Sequence, residues 1–179
     1  MTFFPRYAAA LTLLALPLAA PAMEAREGSG CATYAAPEQA AIKRLTASSL
    51  PEPGGAEGAG PARIDTGIAY RAALSPQEGF AFTAEPGRHT LADGAYAGAF
   101  VFHTDQAGPY RAYIDDASWV DLVDQDGALV PSKDFGGRHQ CDALRKFVAY
   151  SLDADRDYVL QLSGGTRQRV RVLVQPEPR

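Results

Sequence analysis

Four side chains in this 179-residue sequence have the types to hold a metal or to react: His103, His139, Cys141 and Asp142. The last three fall within one stretch, Arg138-His139-Gln140-Cys141-Asp142, and His103 ends an apolar run that could approach it. Imidazole, thiolate and carboxylate are donors for zinc or copper. The candidate ligands are His103, His139 and Asp142, because the chain contains one other cysteine, Cys31, to consume Cys141. A loop histidine that only hydrogen-bonds is the simpler expectation for His139.

Harder oxygen ligands cluster at Asp115, Asp116, Asp121, Asp124 and Asp126, a segment with the chemistry for calcium. The EF-hand pattern fails, because the twelfth position counted from Asp124 is Phe135. Asp124 and Asp126 are explained by a turn without an ion. Arg167, Arg169 and Arg171 alternate with Val170 and Val172, which puts three guanidinium groups on one strand face. That stripe could bind an anionic polymer or an acidic partner. The plainer reading is a solvated sheet face guarded by charge against edge pairing. Among the strand aromatics, period two separates Tyr110 from Tyr113, so one of them faces outward, and Tyr113 joins the binding candidates. Trp119 is expected in the core.

Catalytic signatures are absent: there is no Gly-x-Ser-x-Gly, no His-Glu-x-x-His and no phosphate-cradling glycine loop. The expectation is a non-enzyme without a resident cofactor. With 17 Lys and Arg against 21 Asp and Glu, the net charge of −4 argues against broad nucleic-acid binding.

The elements that must position these groups begin after an export signal. Arg6, the apolar run Ala8 to Ala20 and the cleavage site Ala20-Pro21-Ala22 mark residues 1–22 as a signal peptide, with an apolar run too short to span a bilayer. A periplasmic or secreted location follows, with no membrane span after cleavage. In such a compartment Cys31 and Cys141 are expected to form a disulfide, stabilising by roughly 4–5 kcal/mol on chain-entropy grounds.

Residues 23–63 hold one helix candidate, Ala36 to Ser48, with Pro37 in its first turn, and a linker-like Leu50 to Pro61. This segment is either a spacer or a strap tied across the domain by Cys31. From residue 64 to 179 the period becomes two. Strands are predicted at Ile68 to Leu74, Phe80 to Phe82, Phe100 to His103, Tyr110 to Ile114, Trp119 to Val123, Lys146 to Leu152, Tyr158 to Ser163 and Arg169 to Val174. Asp126-Gly127 predicts a hairpin leading into Ala128 to Val130, and Gly164-Gly165 a second turn. About eight strands with one short helix predict an all-β antiparallel sandwich, jelly-roll or immunoglobulin-like.

Four blocks in order also carry a family resemblance: Ser118-Trp119-Val120-Asp121, Gly137-Arg138-His139-Gln140-Cys141, Arg145-Lys146, and Tyr158 to Gly164. Together they resemble a group of small exported bacterial β-sandwich proteins of unassigned role. The strand layout is more loosely similar to bacterial pre-peptidase C-terminal sandwich domains. Some members of the first group carry a homogentisate 1,2-dioxygenase label. That activity needs two histidines and a carboxylate on one face. His89, His103 and His139 offer no such spacing, and Gly136-Gly137-Arg138 replaces the family's His-Gly-His-Gly-Pro loop. The favoured expectation is a non-catalytic periplasmic sandwich that binds a protein, glycan or envelope component. A metal-binding protein using His103 and His139 is the alternative, and an enzyme ranks last.

Overall fold

Alternation of apolar with polar or small residues turns most of this chain into strand. The computed structural model describes residues 29–54, 60–88 and 93–177. The signal-peptide reading of residues 1–22, and His89, lie outside the described residues. In chain order the described elements are helix α1 (Ala36–Leu45) and strands β1 (Ala62–Arg63), β2 (Ala69–Ala73), β3 (Ser75–Pro76), β4 (Tyr96–Thr104), β5 (Gly108–Ile114), β6 (Trp119–Val123), β7 (Asp134–Gly137), β8 (Lys146–Leu152), β9 (Arg156–Gly165) and β10 (Arg169–Pro176).

Two sheets face each other. The first has the order β1-β4-β9-β6, with β3 added beside β4; the second has the order β2-β10-β5-β8-β7. β1 runs parallel to β4, and the other strand pairings are antiparallel. Inward positions of both sheets build one core: Phe100, Phe102, Val120, Leu122, Tyr158, Leu160 and Leu162 meet Tyr110, Ala112, Ile114, Val148, Tyr150, Val170, Val172 and Val174. The all-β sandwich expected from the sequence is the fold.

The outer face of the second sheet is covered as well. α1 opens with proline in its first turn and buries Ala41 and Leu45 against Ala69, Tyr113, Leu144 and Leu173. Cys31 and Cys141 form the expected disulfide inside this second cluster, and it joins positions 110 apart in sequence. Glu38 is buried on the helix and pairs with Arg111 of β5, which also pairs with Glu177. Residues 29–54 are therefore a strap, not a spacer. Part of the linker-like stretch is ordered too: the Arg71 amide donates to the Pro51 carbonyl at 2.9 Å, and Gly54 bridges Arg63.

Several local expectations change. The helix ends at Leu45, three residues short of Ser48. Ile68 lies outside β2 and is exposed. Phe80 to Phe82 alternates like a strand but is a loop laid over the first sheet, its rings packed edge to face at 4.9 Å. The Asp126-Gly127 turn forms, with Gly127 at φ 78° and the Asp124 carboxylate accepting the amides of Asp126 and Ala128, yet only a single bridge, Val123 to Leu129, follows it. Gly164 and Gly165 end β9, and the chain reverses at residues 166–168.

Gly136 and Gly137 belong to an edge strand where the sequence suggests a loop. A Cβ at Gly136 would stand 2.6 Å from the Phe147 ring, so glycine is what lets β7 lie flat on β8.

Candidate functional site

The polar clusters picked from sequence are mostly consumed by the fold. Asp115 and Asp116 are buried, and their carboxylates hold the β9–β10 turn. Asp115 pairs with Arg171 at 2.6 Å and with Arg167 at 3.1 Å. Asp116 accepts the Ser118 and Thr166 hydroxyls at 2.6 and 2.5 Å, and the Arg167 guanidinium at 3.4 Å. Burial pushes the Asp116 carboxyl up, but these hydrogen bonds together outweigh it and hold the group below its ordinary value. A calcium reading for Asp115 and Asp116 fails on this geometry, because their oxygens already have cations and hydroxyls.

The arginine stripe fails for the same reason. Arg167 sits in the turn, not on the strand, and Arg171 also donates to the carbonyls of Leu45 and Asp142. Arg169 alone of the three is exposed without such partners among the described residues. Tyr113 does face away from the main core, but that side lies beneath α1 and leaves it 1% exposed. Burial raises its phenol from the ordinary value. It is therefore a packing residue and cannot present a binding surface.

The two candidate histidines lie apart, His103 on a strand of the first sheet and His139 in a turn outside either sheet. His103 stands outward on β4, its Nδ1 2.9 Å from Asp157 on β9. His139 follows β7 in an open recess with Gly30, Thr33 and Arg138, where its carbonyl accepts from Arg145 at 2.5 Å. Cys141 is in the disulfide, and the exposed Asp142 carboxylate lies 3.6 Å from Arg145. Among the described residues no group of three His, Cys, Asp or Glu side chains could hold a metal ion.

A different place emerges at the side of the sandwich where β6 ends one sheet and β7 ends the other. Trp119, expected in the core, is 37% exposed there, and Phe135 on β7 is 74% exposed. Leu129, 41% exposed, is carried to the indole by the Asp126-Gly127 turn; its Cδ1 and the Trp119 Nε1 both lie within 4 Å of the space beside Gly87. Between the edges runs a cleft of about 120 Å³ lined by Trp119, Val120, Ser132, Phe135, Lys146 and Val148.

Polar residues of the first sheet make this side rigid. Asp121 accepts the Trp119 indole N–H at 2.8 Å and the Gly87 amide at 3.0 Å. Gln161, fully buried on β9, accepts the amides of Thr83 and Ala84 and donates to the Ala84 carbonyl at 2.9 Å. The residue 77–88 loop is thereby laced across the outer face, and its end places Arg88 with the guanidinium carbon 5.9 Å from the indole centroid. Lys146 reaches from β8 across the gap, donating to the Ser118 carbonyl at 2.5 Å with its Nζ 5.7 Å from the same ring. Burial first, and the Arg88 charge second, lower the Lys146 ammonium from its ordinary value. Sequence reading missed Gln161, Lys146 and Arg88; a lone Gln inside the apolar run Tyr158 to Leu162 was the available signal.

Neither a search of family models nor one of curated proteins finds a match to this chain.

Proposed function

We propose that the protein is an exported, non-catalytic binding module that holds an envelope protein through the open side between β6 and β7. One observation carries this reading: among the described residues, three of the four exposed large hydrophobics, Trp119, Leu129 and Phe135, converge on that side. Tryptophan and other aromatic anchors dominate protein interfaces. An indole already fixed by Asp121 loses little side-chain freedom on association.

Export rests on the signal pattern in residues 1–22 and fits the Cys31–Cys141 disulfide, since such bonds persist in oxidising compartments. No helix of the described residues is long and apolar enough to cross a membrane.

The test compares the oxidised wild-type protein with Phe135→Ser, whose exposed ring contributes little to the core. Both are immobilised and offered solubilised envelope proteins and, separately, purified cell-wall glycan. A protein retained by the wild type and lost by the variant supports the reading. Equal retention by both overturns it, and retention of glycan alone replaces the protein partner with a carbohydrate.

A further inference from the structure

Two cations, Arg88 and Lys146, converge on the exposed indole, and the charge of buried Asp116 acts on Lys146 in the sense opposite to that of Arg88. Among the described residues Arg88 and Lys146 form no salt bridge. Asp121, the nearest acid to the indole, is occupied by Trp119 and Gly87. The Lys146 ammonium has three hydrogens, and the carbonyls of Ser118 and Ala117, at 2.5 and 3.5 Å, account for two of them. Beside it the cleft is apolar at Val120, Phe135 and Val148. Its volume of about 120 Å³ is somewhat below the roughly 150 Å³ of an apolar cavity that accepts benzene, so one aliphatic side chain is the right size.

We infer that this cleft reads the C-terminal residue of a partner polypeptide, with its aliphatic side chain between β6 and β7 and its free carboxylate between Lys146 and Arg88. The inference rests on the binding face proposed above and names what that face recognises. At a polypeptide's C-terminus an apolar side chain and a carboxylate hang from the same carbon, which suits a cleft lined by Lys146 itself, with Arg88 on the indole beside it. A neutral sugar would leave both cations unanswered. A carboxylate placed between them also offsets the repulsion that Arg88 exerts on Lys146.

The chain has a single tryptophan, so the fluorescence of Trp119 reports this site alone. The probe is N-acetyl-leucine, with N-acetyl-leucinamide as its uncharged twin, titrated into the oxidised protein. The acid should change Trp119 emission saturably and bind about tenfold more tightly than the amide, the usual advantage of a charge-assisted hydrogen bond. Lys146→Met should erase that preference. Arg88→Gln, at an exposed loop position, should reduce it. Equal binding of acid and amide overturns the carboxylate reading while leaving the binding face intact. No response to either probe also overturns it, and the binding face then stands or falls on the Phe135→Ser capture alone.

Discussion

Asp121 grips Trp119 from two residues along the same strand, one carboxylate oxygen on the indole N–H at 2.8 Å and the other on the Gly87 amide at 3.0 Å. Residues two apart project from the same face, so the pair shares the outer surface of the first sheet. One carboxylate thereby fixes both the exposed ring and the loop that borders it.

Replacing that carboxylate should free both. Asp121→Ala is expected to make Trp119 more accessible to acrylamide quenching and to shift its emission to the red. The loss of two charge-assisted bonds should lower stability by about 1–3 kcal/mol, read from urea unfolding. Unchanged quenching would refute the role given to Asp121.

Asp116 sets an acid limit. Its carboxyl is held below the ordinary value of 3.8, so it stabilises the fold fully above about pH 4 and loses that contribution as the pH falls through the folded value. Asp116→Asn should therefore be less stable than wild type at pH 6, and the gap should narrow below pH 4. A pH-independent difference in urea midpoints would contradict this.

The disulfide joins positions 110 apart, and a closed loop of that length is worth roughly 4–5 kcal/mol on chain-entropy grounds. The double variant Cys31→Ser with Cys141→Ser should unfold at a much lower temperature than the oxidised protein. Reducing agent should lower the wild-type midpoint and leave the variant's unchanged.

Glu38 ties the helix to the second sheet through Arg111. Glu38→Gln should speed hydrogen exchange across Ala36–Leu45 while leaving the amides of β4 and β9 protected. Arg111 keeps Glu177, so the cost should be about 1–3 kcal/mol, the range for a lost hydrogen bond to a charged group, and less than a fully broken buried pair.

Strands whose alternation is clean were legible: Lys146 to Leu152 is β8 as read from the sequence. Phe80 to Phe82 has the same alternation, but the loop that carries it hands its next amides, those of Thr83 and Ala84, to the Gln161 side chain rather than to a neighbouring strand. Gly136-Gly137 looks like part of a loop until the Phe147 ring beneath it is seen. The candidate site was hidden for a related reason. Arg88, Trp119, Phe135 and Lys146 come from four separate segments, and only the meeting of two sheet edges gathers them. Arg169 and Arg171 were read on the correct strand and Arg167 was not, while the counter-charges, Asp115 and Asp116, precede β6 and leave no mark on the sequence near Arg171.

Strand order has a consequence for timing. In the second sheet β10 lies between β2 and β5, which share no other neighbour. Until residues 169–176 are available, β2 cannot be stitched to the rest of that sheet, and the floor on which α1 docks lacks Leu173. Assembly of that sheet is therefore governed by pairings between distant segments, and correspondingly slow. Residues 169–176 are thus the keystone of the second sheet, and β2 and α1 gain their seats only when that strand docks.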